Sequence, residues 1–233
     1  AMLLCAPLPQ RLPVLLFAAV QRVLFDHPDD PLAAFYPSLG APPAAIGDAG
    51  LDAAFAAFCR RHRPAIEDLI ATRQTQTNEV GRTALTMPVL ARLAADVGPL
   101  AIAEVGASAG LNLSLDRFSY RYRWPGSEQV TSIGPASAVT IDCDWRGDDE
   151  PPGAVPPIAV AHGLDAAPID VADTEAVRWL EACIWPDEPE RRDRFVAAVA
   201  LARAAKVNVQ AGDAVDDVAA LVHDVGVDAH PVV

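Results

Sequence analysis

The sequence predicts a mixed α/β protein, with a helical segment over residues 1–98 and a parallel sheet with helical crossovers over residues 99–233. Three observations carry this. Residues up to about 98 read as helices punctuated by prolines and glycines. After Pro99, apolar residues gather into short runs at 100–105, 158–162 and 207–210, which suit strands buried on both faces. Helical patterns separate these runs, and strand–helix alternation marks parallel pairing with right-handed crossovers.

The first helix spans 12–25 and carries Val14, Leu15, Leu16 and Phe17. Arg11 and Pro13 interrupt its start, Gln21 and Arg22 follow soon, and no small-residue cleavage site stands out, so it reads as a core helix rather than a secretory signal. It is too short to span a bilayer. His27-Pro28-Asp29-Asp30-Pro31 ends it, because proline cannot continue a helix interior. A proline-rich connector leads to a helix holding Leu51, Phe55 and Phe58, with Arg60, Arg61 and Arg63 at its favourable C-terminal end. Pro64 opens a helix over 65–72, and Thr86 is placed as the N-cap of a helix over 87–97.

The first strand, 100–105, runs directly into Gly106, and a helix is expected over 111–118. Residues 119–157 read as an inserted hairpin, in which Tyr120, Tyr122 and Trp124 alternate and 139–143 forms a strand. The strand at 158–162 is followed by helices over 174–184 and 190–205, broken at Trp185-Pro186-Asp187. A third strand at 207–210, a helix over 216–225 and the start of a fourth strand at His230 complete the pattern. The sequence stops inside this apolar run, so the sheet is expected to be incomplete at the C-terminus. Ala1 ahead of Met2 is read as an addition before a native start.

Apolar residues make up 52% of the chain and charged residues 21%, a composition that excludes disorder. The net charge of −13 repels a phosphate backbone and disfavours a nucleic-acid partner. Cys5, Cys59, Cys143 and Cys183 are far apart and form no CxxC pair, so neither a sequence-local zinc site nor a disulfide framework is expected. They read as buried free thiols of a cytoplasmic protein.

The most informative motif leads out of the first strand: Glu104-Val105-Gly106-Ala107-Ser108-Ala109-Gly110-Leu111-Asn112. Its glycines permit a sharp turn and a close backbone approach to a ligand, and a helix start would offer free N–H groups. The motif resembles the acidic residue and G-x-G-x-G of doubly wound methyltransferases, with Ser108 in place of the middle glycine. That resemblance implies a Rossmann-like fold of the S-adenosylmethionine-dependent methyltransferase type. It implies that Glu104 supports the loop and that Gly106, Ala107, Ser108, Gly110 and Asn112 border a cofactor pocket. Asp165, after the second strand, would take the ribose hydroxyls, which a carboxylate accepts well. Asp213-Ala214, after the third, would meet the adenine.

The same residues spell G-x-S-x-G, the nucleophile elbow of acyl hydrolases, and resemble the G-D-S-A-G-G-N-L run of hormone-sensitive-lipase-like esterases. Asp165 or Asp170, then His223 or His230, would complete a Ser, Asp, His order. The helical character of 1–98 and the lack of an upstream glycine-rich oxyanion segment weigh against this alternative. A non-catalytic nucleoside-binding module is a third reading.

Arg73-Gln74-Thr75-Gln76-Thr77-Asn78-Glu79-Val80-Gly81-Arg82 packs several polar groups into one stretch. Arg73, Asn78, Glu79 and Arg82 are candidates to cap the pocket, an arginine holding a ligand carboxylate by a bidentate fork. This segment, the 104–112 motif and Trp179-Leu180-Glu181-Ala182-Cys183-Ile184-Trp185-Pro186 together resemble an uncharacterised bacterial domain-of-unknown-function family over roughly residues 12–233. The resemblance supplies a fold expectation and no reaction. His162, beside the proposed ribose acid, is a candidate strand-end residue or base. No catalytic base is assigned and no metal is expected. The acceptor is expected to be a small molecule or a protein, and an open sheet edge leaves room for a homodimer.

Overall fold

The computed structural model describes residues 2–42, 47–126, 128–146, 149–226 and 229–233. The reading of Ala1, and the parts of the expected hairpin at 127 and 147–148, lie outside the described residues. In chain order the elements are α1 (Pro13–Leu24), α2 (Ala49–Arg61), α3 (Arg63–Thr72), α4 (Thr83–Val97), β1 (Leu100–Val105), β2 (Ser119–Arg123), β3 (Val130–Ile133), β4 (Thr140–Asp144), β5 (Ile158–Asp165), α5 (Thr174–Ala182), α6 (Pro189–Ala205), β6 (Asn208–Ala211), α7 (Val218–Val225) and β7 (His230–Val232). Most lie within one or two residues of the bounds read from the sequence. Helix α4 starts four residues earlier than expected, and β5 runs three residues longer.

The chain packs as two compact units, residues 1–77 with 174–193, and residues 78–173 with 194–233. The sequence places its division near residue 98 and keeps 174–193 with the sheet.

In the first unit, Pro13 opens α1 at a position where a missing N–H costs nothing. Asp48 caps α2 by accepting the Gly50 N–H at 2.7 Å. Leu15, Ala19, Leu24, Phe58, Ile66, Ile70 and Trp179 form the core of this unit. Helix α5 is held to α1 by polar contacts. Buried Arg22 pairs with Glu175 and with Asp26, and Arg178 reaches Asp26 at 2.7 Å. Trp179 Nε1 donates to the Gln74 carbonyl at 2.8 Å. The cysteines are free, but they are not fully buried as expected. Cys5 is exposed and the other three are half-buried. Burial pushes the Cys183 thiol up to about 11.

In the second unit, four strands form a parallel sheet in the order β6-β5-β1-β7. Side chains alternate across it. Ala101, Ala103 and Leu164 pack under Leu221 and Val225 of α7, whereas Leu100 and Ile102 pack with Ala94 of α4 and with Leu113. The stretch expected to be a simple hairpin builds a second sheet of order β3-β2-β4, in which β2 is antiparallel to β3 and parallel to β4. Residues 111–117 are a 3-10 segment rather than the expected α-helix, and Ser114 leaves helical angles within it. The physical reason is its length: only seven residues lie between left-handed Gly110 and extended Phe118, and tighter 3-10 turns serve such short connecting pieces.

Helix α4 begins at Thr83, whose hydroxyl donates to the Val80 carbonyl at 2.7 Å, so Thr86 lies inside the helix and not at its cap. Pro88 lies inside α4 and cannot donate to the Ala84 carbonyl. The hydroxyl of buried Tyr122 supplies the missing bond at 2.8 Å. Tyr120 stacks on Tyr122 at 6.4 Å between centroids and donates to the Leu115 carbonyl at 2.7 Å. Tyr122→Phe should therefore destabilise the fold by about 1–2 kcal/mol in urea denaturation, because it orphans a buried carbonyl. In a Pro88→Ala background the restored helical N–H should make the same change distinctly milder.

Candidate functional site

Val105 ends β1, and the chain turns back through three left-handed residues: Gly106 at φ +75°, Ser108 at +54° and Gly110 at +68°. A serine in this region costs on the order of 1 kcal/mol and must be held there by its surroundings. The end of β5 provides the hold. The Ser108 N–H donates to Asp165 Oδ2 at 2.7 Å, and the Gly106 and Ala107 N–H groups donate to the Leu164 carbonyl at 2.8 and 3.2 Å. The Ser108 carbonyl accepts from the Ile169 N–H at 3.1 Å. Asp165 Oδ1 meanwhile accepts from the Ala167 N–H at 2.8 Å. Both oxygens of this carboxylate thus brace the two strand-end loops.

The glycines divide the work. A Cβ on Gly110 would stand 2.7 Å from Val209 Cγ2, so Gly110 serves close packing. A Cβ on Gly106 would meet nothing within 4 Å, so its backbone faces open space. Gly163 of β5 packs against Ala107, where a Cβ would lie 2.6 Å from that side chain.

Glu104 sits one residue before the end of β1. Its Oε1 accepts from Asn112 Nδ2 at 2.9 Å and so ties the strand to the far side of the loop. Among the described residues, its buried Oε2 has no hydrogen-bond partner, nor has Asn112 Oδ1. Burial holds the Glu104 carboxyl above the usual range. The Asn112 bond and the Arg82 charge oppose this shift, and the Asp165 charge adds to it.

Sheet register aligns the C-terminal ends of β1, β5 and β6: Glu104 is level with Gly163, and Asp165 with Ala211. Asp213 follows two residues later. It is exposed like Ala214, and its Oδ1 caps the turn by accepting from the Val215 and Asp216 N–H groups at 2.7 and 3.3 Å. From the 73–82 segment, Asn78 Oδ1 accepts the Leu111 N–H at 3.0 Å, and Glu79 Oε1 accepts the Gly81 N–H at 2.8 Å. The free helix N-terminus expected at Leu111 is therefore absent, since the segment is 3-10 and Asn78 occupies its first N–H. Arg73 belongs to the first unit, where it ends α3.

The Ser, Asp, His set of the hydrolase reading is not brought together. Ser108 is 3% exposed. His230 pairs with Leu100 at the opposite end of β1, His223 is exposed on α7, and Asp170 caps its own turn through Ala172. His162 lies level with Ala103, and its Nδ1 is buried without a partner among the described residues. Among the described residues there is no cluster of three or more metal-ligating side chains, and no helix is long and apolar enough to cross a membrane.

The raised Glu104 carboxyl sets a pH dependence. A folded-state value above the unfolded one contributes stability below the usual carboxylate pKa of about 4.3, and that stability is lost as pH rises through the folded value. Glu104→Gln should therefore raise the melting temperature at pH 8, and the gain should vanish as pH falls towards 4.

The profile of an uncharacterized protein family conserved in bacteria (DUF2332) matches residues 2–233. No curated protein and no solved structure matches the chain. A match over essentially the full sequence makes the chain a member of this uncharacterized bacterial family.

Proposed function

We propose that the second unit has a Rossmann-like, methyltransferase-like fold and binds S-adenosylmethionine, or a closely related nucleoside, beside Gly106. In this reading the chain is a methyltransferase acting on a small molecule or a protein. The observation that carries it is the pairing of an open backbone at Gly106 with the buried Oε2 of Glu104, which has no hydrogen-bond partner among the described residues. A buried carboxylate oxygen without a donor is costly, and a ligand ammonium or hydroxyl would relieve it.

The topology supports the same place. Counted along the chain, the strands of the parallel sheet lie in the order third, second, first, fourth. Doubly wound sheets with this order bind ligands outside the carboxyl ends of the strands, where the order reverses. That reversal falls at β1, the strand that carries Glu104 and Gly106.

Asp165 braces the loop with one bond per oxygen and keeps further lone pairs for ribose hydroxyls. Asp213 and Ala214 would border the adenine, and Asn112 would keep Glu104 aimed at the ligand. Arg82, whose charge acts on Glu104, would meet a ligand carboxylate. The bound sulfonium would supply an electrophilic methyl group, and these residues would hold it in line with the acceptor.

Calorimetry with S-adenosylhomocysteine tests the reading. Saturable binding is expected, and Glu104→Gln should weaken it about tenfold while the far-ultraviolet circular dichroism stays unchanged, because the change removes a charged acceptor and keeps its shape. Absence of heat at millimolar ligand, or identical binding by the variant, contradicts the proposal.

A further inference from the structure

The first unit holds a cavity that the nucleoside reading leaves unused. Its volume is about 500 Å³, and its wall comes from α1, the turn at 35–37, α2 and the turn after α5. Three aromatic rings of the wall touch in series: the centroid of Phe17 lies 5.8 Å from that of Phe55 and 6.1 Å from that of Trp185. Phe17 and Trp185 nevertheless stay 40% and 46% exposed. Two hydrogen bonds tie the segments of the wall together. Gln21 Nε2 donates to the Ile184 carbonyl at 2.7 Å, and the Ser38 N–H donates to the Pro186 carbonyl at 2.8 Å.

The charge of the wall selects the ligand. Its acidic groups are Asp52 and Asp187, both exposed, and among the described residues no lysine, arginine or histidine lines it. Among the described residues, neither carboxylate is in an ion pair. An anion would be repelled, and a neutral apolar molecule would draw no attraction from the two carboxylates. An ammonium compound with an apolar body answers all three features, since aromatic faces attract cations and carboxylates pair with them. The volume falls within the range of small-molecule sites, about 300–1,000 Å³.

We propose that this cavity is a binding site for an organic ammonium compound. Its apolar body lies against Phe17, Phe55 and Trp185, and its charge faces Asp52 and Asp187. The site is independent of the nucleoside reading, so either can fail alone.

The test is calorimetric titration of the full chain with phenethylamine, neutral 2-phenylethanol and 3-phenylpropionate. The amine should bind at least about fivefold more tightly than the alcohol, and the carboxylate most weakly. The double variant Asp52→Asn/Asp187→Asn alters only exposed groups and should abolish the preference for the amine without changing the circular dichroism. Trp185→Ala should weaken both the amine and the alcohol. Equal or tighter binding of the alcohol, or no saturable binding of any probe at millimolar concentration, overturns the proposal. So does sedimentation showing a dimer that Trp185→Ala dissociates and that excludes the probes.

Discussion

The sheet unit depends on how the chain leaves its central strand. At the end of β1 three successive bends need left-handed backbone, and one of them falls on a serine. That conformation persists because the end of β5 grips the loop through Asp165 Oδ2 and the Leu164 carbonyl. The grip in turn needs β5 beside β1 in its observed register, which the two-sided packing of Ala101, Ala103, Leu100 and Ile102 enforces. A strained loop, an apolar strand and a distant carboxylate therefore form one cooperative arrangement. Its by-product is a buried glutamate oxygen with no hydrogen-bond partner among the described residues.

Much of this was legible in the sequence, and the reasons are local. The runs that became β1, β5, β6 and β7 are short, apolar and followed by glycine or aspartate or preceded by a turn, so pattern alone reveals them. Glu104 and Asn112 both stand out within one motif, eight residues apart, although the bond between them is not read from the pattern. The features that escaped depend on distant partners. The parallel pairing of β2 with β4 cannot be read from alternation. The grouping of 174–193 with the N-terminal helices rests on Arg22 with Glu175 and Gln21 with Ile184, separated by 153 and 163 residues. The 3-10 segment escaped because its leucines look equally apolar in either helix type, and the kink at Ser114 leaves no mark in the residue pattern.

Asp165 has a structural duty that its place in the sequence does not announce. Its place after the second strand suggests a ligand acid, yet both of its oxygens are engaged in holding backbone. Removing its side chain would loosen the loop whatever else it does, so Glu104 is the more informative residue to alter. Pro88 and Tyr122 illustrate the same economy in the scaffold: a helix-breaking residue leaves one carbonyl free, and a buried hydroxyl from the second sheet answers it.

The central claim is that a ligand completes the polar balance at the end of β1. Amide hydrogen exchange of the full chain, with and without S-adenosylhomocysteine, tests it most directly. Slower exchange confined to residues 104–112 and 165–169 is predicted. Unchanged exchange there at saturating ligand, or protection appearing only elsewhere, would contradict the account.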